Sequence, residues 1–117
     1  MGTTTKNKYG ARQLTAPDGQ KFDSVKEYHR WGCLRLLERA GKIKDLKRQV
    51  KYVLIPAQRD KTGKVIEREM SYIADFEYFD LSKGAKVTED CKGYKTDVYK
   101  IKKKLMLWVH GIHIHET

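Results

Sequence analysis

Long apolar runs are missing from this chain: no stretch approaches the roughly 20 residues that a membrane-spanning helix needs, and nothing at its start has the pattern of a secretory signal. The expectation is a cytoplasmic protein with no membrane partner. Cysteine is scarce as well. Cys33 and Cys91 lie far apart with no CxxC spacing, which argues against a zinc ribbon or a disulfide framework and leaves two reduced, packed thiols. Acidic residues are outnumbered, with 25 Lys and Arg against 15 Asp and Glu and a formal charge of +10. The excess is spread along the chain rather than confined to a tail, which is how proteins that meet phosphate backbones are charged, although charge of either sign also serves solubility. With 117 residues there is room for one compact domain and no second. Any active site must be built on one core or between two copies of it.

Residues 1–20 are polar and basic, with Gly10, Pro17 and an Asp18-Gly19 turn signal. They read as a flexible arm followed by a short hairpin, and residues 21–117 as the single domain. Ser24 followed by Glu27 is a capping box, and Phe22 is placed to staple back onto the first turn. Val25, Tyr28, Trp31, Leu34, Leu37 and Ala40 recur at helical spacing up to the stop at Gly41. Gln49 to Ile55 reads as a strand, and the Lys61-Thr62-Gly63-Lys64 turn leads to a second strand, Val65 to Phe79, long enough to need a bend. A loop at Ser82-Lys83-Gly84 precedes a third, Ala85 to Lys92. Thr96 caps a second helix with Val98, Ile101, Leu105, Trp108 and Val109 as its apolar stripe, ending at Gly111. A last strand, Ile112 to His115, completes an α/β mixed sheet in the order α-β-β-β-α-β.

Alternation decides which of the unusual residues can act together. In the third strand Thr88, Asp90 and Lys92 share one face, and Val87, Glu89 and Cys91 the other. Asp75 sits among apolar and aromatic neighbours in Tyr72-Ile73-Ala74-Asp75-Phe76, where a lone carboxylate is costly to desolvate without a charged partner. A hairpin can bring it beside Asp90, although the register is not fixed by the sequence. Two carboxylates forced together repel unless a cation lies between them. A hard divalent metal such as Mg²⁺ takes a few carboxylate or carbonyl oxygens, keeps several waters and shares its remaining positions with substrate phosphate. Lys92, one strand repeat from Asp90, would orient such a water or stabilise charge on phosphorus oxygens. The plain alternative is that both aspartates pair with lysines.

An acid at the end of one strand and acid-x-Lys in the next, here Asp75 and Asp90-Cys91-Lys92, resemble the signature of the PD-(D/E)XK nuclease superfamily. Ala74 stands where the superfamily usually has proline. From about Lys8 to Ile114 the chain is also similar to a family of small phage and prophage proteins of unknown function. Asp18 to Glu27, Gly41 to Val50, Tyr72 to Phe76, Glu89 to Gly93 and Lys102 to Leu105 carry that likeness. The resemblance implies a restriction-endonuclease-like fold close to small Holliday-junction resolvases, and Mg²⁺-dependent cleavage of branched or structured DNA, with Mn²⁺ able to substitute. It implies a phage or prophage protein in the cytoplasm of a bacterial host, and a homodimer, since resolving a junction takes two paired cuts. It further implies metal binding by Asp75, Asp90 and the Cys91 carbonyl, with Glu27 either a ligand or only a helix cap. Lys92 would position the water.

Lys95, Lys100 and Lys103 either meet the DNA backbone or form a solvated helix face. Tyr94 is the aromatic best placed to stack on an unpaired base, ahead of Tyr9, Trp31 and Trp108, the two tryptophans lying on helix stripes. His110, His113 and His115 lack the further spaced ligand of a recognisable zinc site. A non-catalytic nucleic-acid-binding module on the same fold, or an exonuclease, are the alternatives.

Overall fold

The computed structural model describes residues 4–6 and 12–117. Tyr9, a candidate for base stacking, lies outside them. Thr4–Lys6 (β1), Arg12–Thr15 (β2) and Lys21–Phe22 (β3) form a small antiparallel sheet in that order, so the hairpin expected within the arm continues past residue 20. Ser24 Oγ accepts the Glu27 N–H at 3.0 Å and caps the first helix, Val25–Arg39 (α1). Phe22 meets Tyr28 edge-on at 5.2 Å and fixes the entering chain. Gly41, with φ of 72°, releases the chain from the helix, a conformation that costs glycine least.

The first long strand, Ile43–Ile55 (β4), begins six residues before the expected Gln49. A ribbon of Gln58–Arg59 (β5) and Val65–Glu67 (β6) follows, its turn held by Asp60 Oδ1. The long strand expected from Val65 is therefore broken, and the second part is Met70–Asp80 (β7). The third strand is Ala85–Asp90 (β8), two residues shorter than expected, because pairing with β7 stops at Glu89. Thr96 caps the second helix, Asp97–His110 (α2), and Gly111 closes it with φ of 67°. The last strand is His115–Glu116 (β9) rather than Ile112 to His115. The main sheet runs β4-β7-β8-β9, antiparallel except for β8 and β9, whose parallel pairing is permitted by the α2 crossover. With α1 ahead of it, this is the mixed α/β sheet in the order α-β-β-β-α-β. No helix among the described residues is long and apolar enough to cross a membrane.

One irregularity organises the sheet. Along β7 every second residue, Tyr72, Ala74, Phe76 and Tyr78, is buried, and Glu77 between the last two is buried as well. Its two halves nevertheless meet different helices: Tyr72 and Ala74 pack with Tyr99 and Met106 of α2, Phe76 and Tyr78 with Leu34 and Trp31 of α1. Their neighbours divide likewise, since the Tyr72 hydroxyl donates to Asp90 and that of Tyr78 to Glu89. Adjacent residues of β8 point to opposite faces, so the pleat of β7 inverts between Ala74 and Phe76. The inversion falls at Asp75, opposite Gln49, whose φ of 54° takes β4 out of extended conformation.

The sheet side of α2 is not the expected one. Tyr99 and Met106 are buried in the core, whereas Val98, Ile101 and Val109 are exposed and Trp108 is 84% exposed. Leu105 alone of that stripe packs at the core's edge. Trp31 is partly buried in stacked contact with Phe76, so of the two tryptophans expected in the core only Trp31 is there.

Candidate functional site

The strand register that the sequence leaves open is settled by the pairing of Phe76 with Glu89, which puts Asp75 and Asp90 at opposing positions just where the β7–β8 ladder ends. With the ladder open there, Asp75 Oδ2 accepts the Cys91 N–H at 2.8 Å and bridges the gap with its side chain. Burial pushes the Asp75 carboxyl up to about 7, with the negative charges of Asp90 and Glu27 adding to it and the Cys91 N–H and Lys92 opposing. The same centre therefore brings Asp75, Asp90, Glu27 and Lys92 within electrostatic reach of one another. The Cys91 thiol beside it is pushed up to about 11, chiefly by burial.

Asp90 is 1% exposed. Its Oδ2 accepts from the Tyr72 hydroxyl, and its Oδ1 lies 3.3 Å from Lys92 Nζ without a hydrogen-bond partner of its own. A fully buried carboxylate oxygen whose one partner is an ammonium at 3.3 Å, with no hydrogen bond, is poorly compensated, and here it is next to a second carboxylate that burial drives toward its protonated form. Two opposed carboxylates, one with an oxygen that no hydrogen bond reaches, and the backbone carbonyl of Cys91 directly after Asp90 are the oxygen ligand chemistry that a hard cation prefers. Asp75, Asp90 and the Cys91 carbonyl fit such an ion. No group of three or more His, Cys, Asp or Glu side chains arranged to hold a metal occurs among the described residues. Any ion here would therefore keep much of its water.

Glu27 is a cap and more. Its Oε2 accepts the Asp23 N–H, and its Oε1 accepts from Arg48 Nη2 and Gln49 Nε2, each at 3.2 Å. Burial raises its carboxyl despite Arg48. Its neighbour Gln49 is the residue at the pleat inversion, so α1 is tied to the backbone opposite Asp75. Lys92 Nζ sits 4.7 Å over the Tyr99 ring, which keeps the ammonium beside Asp90 rather than in bulk water.

The expected alternation of β8 holds. Val87 and Cys91 join the α1-side core, and Glu89 points the same way, opposite to Asp90. Glu89 is more than an ordinary strand residue. It is fully buried and takes two bonds from Arg30, Nε at 2.8 Å and Nη2 at 2.7 Å, with a third from the Tyr78 hydroxyl. That ion pair anchors β8 to α1 one residue before Asp90. Tyr72 and Tyr99 are further neighbours of the centre that the sequence does not single out; their signal is aromatic residues at positions flanking the acids.

Of the basic residues singled out, Lys95, Lys100 and Lys103 line one cleft on α2, and Tyr94 is exposed beside it. Lys95 and Lys103 are not solvated freely, because Glu116 holds both. His110 is taken by the Val53 carbonyl at 2.7 Å, while His113 and His115 face the clefts next to β9. Residues 6–111 match the model of a protein family described as of unknown function, DUF1064. No curated protein and no solved structure matches the chain.

Proposed function

The chain belongs to the DUF1064 family, and we propose that it is a metal-dependent endodeoxyribonuclease of PD-(D/E)XK type, acting on branched or structured DNA in phage replication or recombination within a bacterial host. The observation that carries the reading is the pair of opposed acids, Asp75 and Asp90, at the open end of the β7–β8 ladder, with an Asp90 oxygen that has no hydrogen bond and only the Lys92 ammonium, at 3.3 Å, beside it. Asp75, Asp90 and the Cys91 carbonyl would hold Mg²⁺, or Mn²⁺ in its place, with Glu27 contributing charge from behind. When bound, the ion lowers the pKa of its water and neutralises charge gathering on the phosphoryl oxygens.

The chain's own residues do the rest. Burial and the neighbouring acids favour the protonated form of Asp75, so a cation would have to displace that proton and would bind better as pH rises. Tyr72 holds Asp90 Oδ2, fixing the carboxylate so that Oδ1 is left beside the Lys92 ammonium. Lys92, steadied by the Tyr99 ring, donates to the attacking water or to a phosphate oxygen as charge develops there. The water oxygen bonds to phosphorus as the bond to one ester oxygen breaks, and the proton that the water gives up to solvent is matched by the one that the leaving oxygen takes from it.

Two cuts at a junction call for two sites, and the reading includes a homodimer. What supports it is the outward stripe of α2, with Val98, Ile101, Trp108 and Val109 exposed together on one helix. A contiguous apolar face of that kind marks an interaction surface. The test is incubation with four-way junction, flap, single-stranded and linear duplex DNA, in Mg²⁺ and then in EDTA, beside Lys92→Ala. Cleavage of the junction in Mg²⁺ only, lost in the variant, is expected. Survival of every substrate across metals would leave a nucleic-acid-binding module, and shortening of linear duplex from its ends alone would leave an exonuclease.

A further inference from the structure

Glu116 is an acid in otherwise basic surroundings, and its contacts are those of an anion in a binding site. The carboxylate takes the Tyr99 hydroxyl at 2.7 Å, Lys103 Nζ at 3.0 Å and Lys95 Nζ at 3.2 Å. The Tyr99 bond foremost, with Lys103 and Lys95, holds it down to about 2, so it stays charged throughout the working pH range. Two ammonium groups and a phenol converging on two oxygens are also the donor set that a phosphate would use.

Glu116 lies where two clefts meet. The first, about 380 Å³, is bounded by Lys95, Tyr99, Lys100 and Lys103. The second, about 430 Å³, is bounded by Lys83, Lys86, Thr88 and His115. Both share Lys103, His113, Ile114 and Glu116, which makes them one trough with β9 as its floor. Tyr99, at one end, also lies under the Lys92 ammonium. Lys83, at the other, stands in the turn that opens β8. Lys86 is already engaged by Glu77 at 3.6 Å and by the Tyr52 hydroxyl, so at that end the freer charge is on Lys83.

We propose that this trough binds the sugar-phosphate backbone of the nucleic-acid strand leading away from the acidic centre, and that Glu116 stands in for a phosphate until one displaces it. The inference deepens the nuclease reading and rests on it for the direction of the strand. Glu116 draws the Lys95 and Lys103 ammonium groups together on its Oε1, sparing part of the ordering cost that flexible lysines otherwise meet on binding. A row of lysines with one built-in carboxylate suits a repeating monoanion that offers several phosphates in line. A folded acidic protein surface would offer the trough its charges at irregular spacing.

The experiment is fluorescence anisotropy of labelled single-stranded and duplex oligonucleotides in EDTA, over a salt series, with thermal midpoints recorded for each variant. Lys83→Ala with Lys86→Ala is expected to weaken binding and to flatten the log–log salt slope by about 1 to 2, near 1 for each phosphate that a lysine no longer meets. Lys61→Ala, in the β5–β6 turn, serves as a remote control and should leave the slope in place. Glu116→Gln is expected to tighten binding severalfold, by removing a like charge from the phosphate's position. The trough is overturned if the double variant and Lys61→Ala behave alike, if folded Glu116→Gln binds more weakly, or if polyglutamate displaces DNA as well as an equal charge of oligonucleotide does. If Glu116→Gln fails to fold, the double variant decides alone. Because binding is read without metal, an intact salt-slope effect with no cleavage in Mg²⁺ would sink the nuclease reading and not the trough, and the reverse result would sink the trough alone.

Discussion

Asp75 sets stability against chemistry. In the unfolded chain it ionises near 3.8, and in the fold its proton stays on to about 7, first because it is desolvated and then because Asp90 and Glu27 repel a further charge. Between those values the folded state binds more protons than the unfolded one. Stability therefore falls as pH rises, with the whole penalty present above about pH 7 and amounting to a few kcal/mol. Asp75→Asn can still accept the Cys91 N–H and no longer carries the charge. In EDTA at pH 8 the variant is expected to have the higher urea midpoint, and the difference should vanish by pH 4. Added Mg²⁺ should raise the midpoint of the wild type and leave the variant where it was. A variant less stable than wild type at pH 8 would refute the account. Glu89 poses the opposite case. It is fully buried and lives on Arg30 and Tyr78, so Arg30→Ala strands a carboxylate in the core and should cost about 3 kcal/mol in chemical denaturation.

At the scale of elements, much was legible because it is local. Ser24 and Thr96 as caps, Gly41 and Gly111 as stops and the turn at Lys61 to Lys64 each depend on a few adjacent residues, and each is found where the sequence put it. Asp90 and Lys92 on one face also followed from alternation alone. The β7–β8 register did not, since it is set by which residues pair across a turn, and the sheet's pleat inversion did not because Tyr72 to Tyr78 reads as one unbroken pattern. The left-handed Gln49 on the neighbouring strand reveals it. Gln49→Val, a β-branched residue at φ of 54°, should therefore destabilise by more than about 1 kcal/mol, although the position is exposed. The sheet-facing side of the second helix was hidden for a related reason: the helix has two apolar faces, and the one with more residues is not the one that meets the sheet. Met106→Ala should then cost about 2 to 5 kcal/mol, while Trp108→Gln should stay within about 0.5 kcal/mol in the dilute protein. Equal losses in denaturant unfolding would return Trp108 to the core.

For the whole molecule, the formal charge of +10 acts on two associations with opposite sign. Two copies brought together through α2 repel, and that repulsion is screened once the Debye length falls to about 10 Å near 0.1 M salt and to about 3 Å near 1 M. Binding to DNA gains from release of condensed counterions and weakens over the same range. Burial of the outward stripe is apolar and gains from neither effect, so the proposed dimer should strengthen with salt while DNA affinity falls. Sedimentation equilibrium from about 0.05 to 1 M NaCl, the range over which that screening sets in, is expected to show mass rising toward that of two chains, with Trp108→Glu held at one chain throughout. A monomer under all conditions would remove the dimer from the functional reading. Cleavage of a four-way junction by such a monomer would then appear as single nicks, whereas the dimer should release paired cuts in one encounter.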